Sequence, residues 1–343
     1  MKSLLLSAIV CAFTLSAPFP IYYTDEKGYS TTIHQKPKRI VVAGGMWPFP
    51  SVLIMLEGST KNLVYMPSSS KSAIEHSFMR EAFPDIDKIH IGESENIEEL
   101  LKLKPDLFIC HSANIKLCEA MKKTAIPTIE VSVNKWHYDS YETLKGWIDL
   151  IAPILDRQKE AQVFLDFAKK VEKEIESAKK QTQKPKALII HYFDNEKSLS
   201  VGGIFADYLL QKSGAQNVIT SKSVAKISLE EIYRLNPDII YINNFNTLMP
   251  EDLLNAPLWK GIQAIKNKRV YKFPLGSYRP FAPSVDLPIL LKWLYEHNYP
   301  QYADERALLG FSQAFYKQYF GLDLTQTQIV QIFTPSKEAG KIK

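Results

Sequence analysis

The sequence contains none of the short motifs by which common enzyme classes are recognised. No Gly-x-Gly-x-x-Gly follows an apolar strand, and Gly-x-x-x-x-Gly-Lys-Ser/Thr, Gly-x-Ser-x-Gly and His-Glu-x-x-His are absent. These motifs supply the dinucleotide turn, the phosphate loop, the nucleophilic serine and the zinc-binding histidines of those classes. Their absence argues against an enzyme, and we expect neither catalytic residues nor a resident cofactor.

A basic block and a membrane-spanning stretch are also missing. The net charge of +5 comes from interspersed Lys and Glu, so nucleic acid is not an expected partner. An apolar run over 4–15, preceded by Lys2 and followed by Ser16 and Ala17, predicts a signal peptide over 1–17 that is cleaved near Ala17. No later stretch reaches the roughly 20 apolar residues that a membrane helix needs, so we expect an exported protein that acts as a monomer.

Cysteine is scarce. Of the three cysteines, Cys11 falls within the predicted signal peptide, which leaves Cys110 and Cys118. Disulfides persist in an export compartment, but the sequence does not fix the distance between the two residues. A disulfide bridge and two separate buried thiols both remain open.

What the sequence does contain is one segment that occurs twice. Residues 97–119, IEELLKLKPDLFICHSANIKLCE, align without a gap with residues 229–251, LEEIYRLNPDIIYINNFNTLMPE, and seven positions are identical. Each copy predicts a helix, a turn at Pro, a short buried strand and a loop. Two copies are too few for a solenoid. The repeat therefore predicts two similar α/β lobes whose strand ends face a common crevice, where such sheets bind ligands.

The chain divides accordingly into two Rossmann-like lobes. With 343 residues and 45% apolar content, each lobe has enough sequence for its own core. We predict an N-terminal lobe over 18–145, interlobe helices over 146–183 and a C-terminal lobe over 184–343. The second interlobe helix should begin at Asp156 as N-cap, after a break at Pro153. With about 25 residues it would extend roughly 37 Å, long enough to bridge both lobes.

Four segments resemble a known family, the helix-bridged (class III) substrate-binding proteins of ABC importers, of the CeuE, FhuD and BtuF type. They are RIVV at 39–42, GESENIEELLKLKPDLFI at 92–109, ISLEEIYRLNPDIIYI at 227–242 and LWKGIQAIKNKRVYKF at 258–273. The segment 278–300 further resembles the tail of the CeuE-like nickel and iron-chelate binders. The resemblance implies a periplasmic receptor that delivers a small-molecule metal chelate to a dimeric inner-membrane permease. It also implies that Glu119 and Glu251, which match in the two copies, dock on the permease.

Loops after the strands of the first lobe supply the first group of candidate ligand contacts, Gly45, Met46, Trp47, Met66 and His111. His111 directly follows the strand LFIC, so its imidazole should face the cleft, where it could ligate a metal or serve only as a hydrogen-bonded polar residue. A Gly-Gly turn is equally typical of a plain strand-to-helix connection.

The second lobe supplies Tyr192, Asn243, Tyr278 and Arg279. Asn243 is the repeat counterpart of His111. The guanidinium of Arg279 has the planar geometry that pairs with a carboxylate or phenolate, but it could equally bind loop carbonyls. Tyr278 is carried over from the family as a metal contact.

The expected cargo is nickel bound by small chelators such as histidine, with His111 as the protein ligand. Ferric siderophores, haem or cobalamin are alternatives on the same fold, and a surface adhesin is an alternative of another class. His137 and His191 also follow predicted strands, but a bare-metal site needs three or four converging ligands. We therefore expect a metal that arrives already chelated.

Overall fold

The computed structural model describes residues 19–92, 96–178 and 183–342. The predicted signal peptide over 1–17 lies outside the described residues. None of the described helices is both long and apolar enough to cross a membrane.

The first lobe begins with an antiparallel hairpin and continues as a parallel sheet. The hairpin pairs β1 (Ile21–Thr24) with β2 (Ser30–Ile33). The sheet strands are β3 (Ile40–Ala43), β4 (Leu63–Pro67), β5 (His90–Gly92), β6 (Leu107–His111) and β7 (Thr128–Val131), in the order β5-β4-β3-β6-β7. The accompanying helices are α1 (Phe49–Glu57), α2 (Ser68–Glu75), α3 (Met79–Ala82), α4 (Ile97–Lys102) and α5 (Ile115–Lys122). All of the sheet pairings are parallel, so the strand ends share one edge.

Two helices connect the lobes, α6 (Ser140–Leu155) and α7 (Gln158–Ala178). The helix α7 packs against α6 on one side, and against two helices of the second lobe on the other. Its 21 residues correspond to about 31 Å. The long bridging helix expected from the sequence is therefore present as α7.

The junction between α6 and α7 differs in detail from the prediction. Pro153 lies inside α6 rather than ending it, and Asp156 closes α6 in the left-handed conformation (φ 55°) rather than opening α7. Arg157 donates its backbone N–H to Ala152 at 2.8 Å. A proline in the last turn removes only one hydrogen bond, so the helix continues for two more residues before the chain reverses.

The second lobe repeats the parallel core and adds antiparallel edge strands. Its strands are β8 (Lys186–Asn195), β9 (Ser198–Val201), β10 (Gln216–Asn217), β11 (Ala225–Ile227), β12 (Ile239–Ile242) and β13 (Val270–Lys272). Their order is β11-β9-β8-β12-β13, with β10 beside β8. The helices are α8 (Ala206–Lys212), α9 (Leu229–Leu235), α10 (Pro250–Leu254), α11 (Gln263–Lys266) and α12 (Leu287–Asn298). Both copies of the repeat form the predicted helix, turn and strand, as α4–β6 and α9–β12.

The C-terminal helices return to the first lobe, which the predicted boundary of 184–343 does not anticipate. The helix α13 (Glu305–Phe320) packs against α1, and the ring of Tyr316 lies 4.7 Å from that of Phe78. The last helix, α14 (Gln326–Phe333), donates a hydrogen bond from Gln328 to Glu81. Apolar residues on α13 find their partners on the other lobe, a long-range contact that no local pattern reveals. The lobes are therefore joined through a second connection besides α7.

Three hydrophobic clusters hold this arrangement together. One covers the outer face of the first sheet and includes Leu100, Leu117 and Met121, and a second covers the outer face of the second sheet. The third and most extensive cluster runs through both lobes and includes side chains of α1, α6, α7, α12 and α13. Because the two inner faces share one core, separating the lobes would expose apolar surface.

Glu172 is the buried charge at the contact between α7 and the second lobe. Its carboxylate accepts a hydrogen bond from Tyr208 at 2.8 Å and lies 2.7 Å from the Nζ of Lys212. Burial disfavours ionisation of Glu172, but the hydrogen bonds from Lys212, Tyr208 and Lys169 outweigh it and hold its pKa below the usual range. A lowered folded-state pKa stabilises the fold above the unfolded pKa, and this contribution is lost as the pH falls through the folded value.

We therefore predict that Glu172→Gln lowers the free energy of unfolding at pH 7 by about 2 kcal/mol, because a charged hydrogen-bond acceptor is lost at a buried position. At pH 3 the difference should shrink, because the unfolded chain already carries the proton on Glu172 at this pH and the stabilisation from its lowered folded-state pKa is reduced. Urea unfolding of the native protein and the variant at pH 7 and pH 3 measures this difference in the free energy of unfolding. Glu174→Gln, at an exposed pair with Lys170, should change stability by less than about 0.5 kcal/mol. An equal loss at pH 3 and pH 7 would contradict the prediction.

Candidate functional site

Two contacts between aromatic rings mark where the lobes meet. Trp47, in the turn after β3, lies 6.4 Å from Phe245 in the loop after β12. Tyr138, just before α6, packs edge-on against Phe205 at 5.5 Å, next to α8. The carboxyl ends of the parallel strands from both lobes therefore face the same interlobe cleft, the position at which such sheets bind ligands.

Phe245 is the centre of an aromatic cluster on the second-lobe side of this cleft. Its ring lies 6.1 Å from His191, 6.4 Å from Tyr278 and 5.4 Å from the guanidinium of Arg279. The ring of Phe281 approaches His191 to 4.7 Å. Phe245, Tyr278 and Phe281 are 6%, 1% and 2% exposed, so their rings pack together at the lobe boundary and form an apolar surrounding for the polar groups of His191 and Arg279.

His111 stands at the carboxyl end of β6, as predicted, and is half-buried. Its Nδ1 accepts a hydrogen bond from the backbone N–H of Ala113 at 2.8 Å. Burial lowers the pKa of His111, so the imidazole is neutral at pH 7.

His191 lies on β8, the strand that pairs with β12 in the second lobe. Its Nδ1 is hydrogen-bonded to the side-chain amide of Asn243, and its backbone carbonyl accepts from Asn246 at 2.8 Å. Burial lowers the pKa of His191 to about 4. Asn243 itself is fully buried and its side chain contacts His191. The sequence predicted instead that Asn243 would contact the ligand at the cleft surface.

Arg279 lies within the interlobe boundary and is completely buried. It donates to the carbonyl oxygen of Ser69 at 2.9 Å, to that of Ala339 at 3.0 Å and to that of Lys341 at 2.8 Å. Ser72 donates its hydroxyl to the same Lys341 carbonyl at 2.7 Å. Of the two roles left open by the sequence, the structure shows the one in which the guanidinium binds loop carbonyls, here from α2 and the C-terminal segment.

The two candidate tyrosines differ in exposure. Tyr192 is 37% exposed, and burial of the rest of the side chain raises its pKa, an effect that Arg279 opposes. Tyr278 is 1% exposed, and its hydroxyl has no partner of normal hydrogen-bond geometry among the described residues. Burial raises the pKa of Tyr278 above its usual range. Arg279, beside this hydroxyl, opposes the rise in pKa, and the phenol of Tyr278 is enclosed by protein rather than open to the cleft.

The first-lobe candidates divide in the same way. Gly45 is exposed and Trp47 half-buried, but Met46 and Met66 have no exposed surface and belong to the core shared by the lobes. Gly44 and Gly45 both have positive φ (65° and 88°), and this tight turn directs Met46 back toward the core. The prediction that Met46 and Met66 line the cleft is therefore not supported by their placement.

The two candidate docking glutamates lie on exposed helix surfaces in different electrostatic settings. The side chain of Glu119 is 45% exposed, with the Nζ of Lys122 at 3.3 Å and that of Lys27 at 3.7 Å. Glu251, in the first turn of α10, is exposed, and within the described ranges no cation lies at ion-pair distance from it. Cys118, which precedes Glu119, is joined to Cys110 by a disulfide with a Cα–Cα distance of 6.0 Å, which settles the cysteine alternatives.

A metal site built only from side chains is not seen in the described part of the chain, where no group of three or more His, Cys, Asp and Glu residues could hold an ion. His137 is exposed in the turn before α6 and stays apart from the cleft cluster. His111 is therefore not joined by further protein ligands there.

Sequence reasoning missed Phe245, Phe281 and the C-terminal segment. Phe245 carried a usable signal, because it is the repeat counterpart of Ala113 in the loop after the strand. Phe281 and the contact of Lys341 with α2 carried none, since the helices that return to the first lobe bring them into place.

Together, the bridged lobes and the polar groups in an aromatic cleft define a solute-binding protein. The sequence matches the periplasmic binding protein family over residues 52–275, and the chain belongs to that family. It is a helix-bridged substrate-binding protein of the kind that serves ABC importers, and not an enzyme.

Three relatives show how far the similarity extends. A periplasmic solute binding protein of Veillonella parvula is 28% identical, with 92% of this chain and 97% of that chain covered and a TM-score of 0.80. Helicobacter pylori CeuE with Ni(II) bound is 25% identical over 91% of this chain and 99% of its own, with a TM-score of 0.71. The molybdate-binding protein MolA of Haemophilus influenzae is 23% identical over 92% of this chain and 97% of its own.

We predict that Arg279→Lys lowers the free energy of unfolding by about 2 kcal/mol, because an ammonium cannot reach the three carbonyl oxygens that the planar guanidinium binds. The C-terminal segment should also become sensitive to carboxypeptidase. Urea unfolding and timed digestion followed by mass spectrometry measure both effects. Arg234→Lys, at an exposed pair with Glu231, is the matched control. Wild-type stability and digestion in the Arg279 variant would show that these hydrogen bonds are not needed.

Proposed function

We propose that this protein captures a transition metal as a chelate, nickel with small chelators such as histidine in the first place, and delivers it to an inner-membrane ABC permease. The observation that carries the proposal is the boundary between the carboxyl ends of the two sheets, where Trp47 of the first lobe lies beside Phe245 of the second lobe, next to His191. The similarity to a Ni(II)-bound CeuE over nearly the whole chain supports it. The exported location follows from the predicted signal peptide and the family.

A chelate suits this cleft better than a bare ion. Nickel and ferric ions require more donor atoms than one or two imidazoles provide. A chelator supplies these donors, and its organic part contacts the partly exposed rings of Trp47 and Tyr192. Nδ1 of His111 already accepts the N–H of Ala113, so only Nε2 of this ring is free to face the cargo.

An oxyanion is the second candidate cargo. The similarity to a molybdate-binding protein covers as much of the chain as the similarity to CeuE. An imidazole whose Nδ1 accepts a hydrogen bond presents an N–H group, which an anionic oxygen accepts. Ferric siderophores, haem and cobalamin are further candidate cargoes for a protein of this fold. A surface adhesin, the alternative of another class, would bind none of these compounds.

The test is a thermal-shift titration of the metal-free mature protein with Ni²⁺ alone, Ni²⁺ with histidine, a ferric catecholate, haem, cobalamin and molybdate. We expect Ni²⁺ with histidine to stabilise the protein by about 2.7 kcal/mol when the free chelate exceeds its Kd a hundredfold. Ni²⁺ alone should have little effect. In calorimetry, His111→Ala should weaken the binding of the chelate roughly tenfold or more.

His34→Ala, which removes an exposed imidazole away from the cleft, is the matched control and should leave the shift unchanged. If molybdate or another compound raises the melting temperature and Ni²⁺ with histidine does not, that compound is the cargo and the assignment of nickel is wrong. No shift with any member of the panel would argue against the transport role and favour the adhesin alternative.

For delivery, we propose that Glu119 and Glu251 contact basic residues of the permease. Exposed charges of one sign on both lobes suit a two-subunit partner. In vesicles that contain the cognate permease, Glu119→Gln combined with Glu251→Gln should lower cargo uptake roughly tenfold, with an unchanged Kd for cargo. Glu230→Gln, at an exposed position on α9, is the control. Unchanged uptake in the double variant would exclude this docking role.

A further inference from the structure

The two copies of the repeat form the same type of hydrogen bond where the strand meets the following loop. In the first lobe the backbone N–H of Ala113 donates to Nδ1 of His111 at 2.8 Å, and in the second lobe that of Phe245 donates to Oδ1 of Asn243 at 3.0 Å. His111 is the last residue of β6 and Asn243 directly follows β12, and in each case the side chain turns back to accept the N–H of the residue two positions later. The acceptor atom therefore fixes the orientation of the side chain in both lobes.

In the first lobe this hydrogen bond decides which nitrogen of His111 carries the proton. A neutral imidazole has one N–H and one lone pair. Because Nδ1 must use its lone pair to accept from Ala113, the proton resides on Nε2. The free side of the ring is thus a hydrogen-bond donor.

In the second lobe the proton of His191 is also placed on Nε2, here through the side chain of Asn243. Oδ1 of Asn243 accepts from Phe245 and, at 3.3 Å, from Asn246, which fixes the amide so that its NH₂ group donates to Nδ1 of His191. The lone pair of that Nδ1 is therefore occupied as well, and Nε2 of His191 carries the proton. Burial lowers the pKa of His191 to about 4, in agreement with a neutral ring.

This arrangement is the opposite of the one that metal-binding histidines need. A histidine that ligates a metal through Nε2 donates its Nδ1–H to a carboxylate, carbonyl or water. Here both Nδ1 atoms face donors, so an Nε2 lone pair would require two N–H groups to point at each other. The surrounding rings of Phe245 and Phe281 strengthen a hydrogen bond from His191 by excluding water.

We infer that His111 and His191 recognise the cargo as Nε2–H donors to its oxygen atoms, and that neither imidazole ligates the metal. This inference rests on the proposed function and specifies the cargo. The cargo is then a complex whose metal is fully coordinated by its own chelator. The outer carboxylate, phenolate or oxo oxygens of this complex face the protein.

The first test determines the tautomers directly. In ¹⁵N-histidine-labelled protein without cargo, two-dimensional ¹H–¹⁵N spectra at pH 8 should show His111 and His191 protonated at Nε2. Addition of Zn²⁺, a diamagnetic bare ion, should leave both Nε2 signals in place. Asn243→Asp reverses the donor at Nδ1 of His191 and should move the proton of that ring alone to Nδ1, which provides the positive control for the assignment.

The second test separates a donor from a metal ligand by substitution. Glutamine places an N–H₂ group near the position of Nε2, whereas glutamate places there an oxygen that can bind metal but cannot donate. We expect His111→Gln to bind the chelate within about threefold of the native Kd and His111→Glu to lose roughly a hundredfold. Thermal unfolding without cargo shows whether both variants fold.

Protonation at Nδ1 in the native protein, coordination of Zn²⁺ by either ring, or retained affinity in His111→Glu with loss in His111→Gln would each overturn the inference. The outcome for the proposed function is separate. If no cargo of the panel binds the native protein, the metal-chelate function fails, whereas the tautomers and the Zn²⁺ spectra still decide whether these imidazoles are donors.

Discussion

The packing of both lobes around a common hydrophobic core is the constraint on which the rest of this structure depends. In many two-lobed proteins each lobe is closed on itself and a hinge separates them. Here α7 lies between the lobes, and α13 returns from the second lobe to pack on α1 of the first. A wide opening would expose the side chains of this core, so the free energy of apolar burial limits the lobes to small movements. The cleft is therefore largely preformed, which reduces the conformational cost of binding.

Polar interactions reinforce this restriction at the two places where the core reaches the lobe boundary. Glu172 connects the bridging helix to Lys212 and Tyr208 on one side. Arg279 connects the second lobe to α2 and the C-terminal segment on the other. Both are buried charges, and each is surrounded by the hydrogen-bond partners that a buried charge requires. Breaking either group of contacts would leave an uncompensated charge, so these interactions favour one relative position of the lobes.

Within this fixed frame, the proposed recognition of cargo depends on a small number of polar atoms. The direction of the N–H group of each imidazole is set by hydrogen bonds that are made within a single lobe and do not depend on the ligand. A site of this kind would distinguish cargoes by the charge and placement of their outer oxygens.

The sequence alone determined the repeat, the two α/β lobes, the bridging helix and the positions of the strand ends. These follow from local rules, because helical periodicity, proline turns and short apolar runs act over a few residues. The positions of His111 at the end of β6 and of Trp47 in the turn after β3 follow from the same rules. Only the tertiary structure decided that Met46 and Met66 face the core, that Arg279 binds carbonyls of distant segments and that α13 crosses to the first lobe. It also paired Asn243 with His191. These features depend on contacts between residues that are far apart in the chain, and such contacts exist only once the two lobes have packed together.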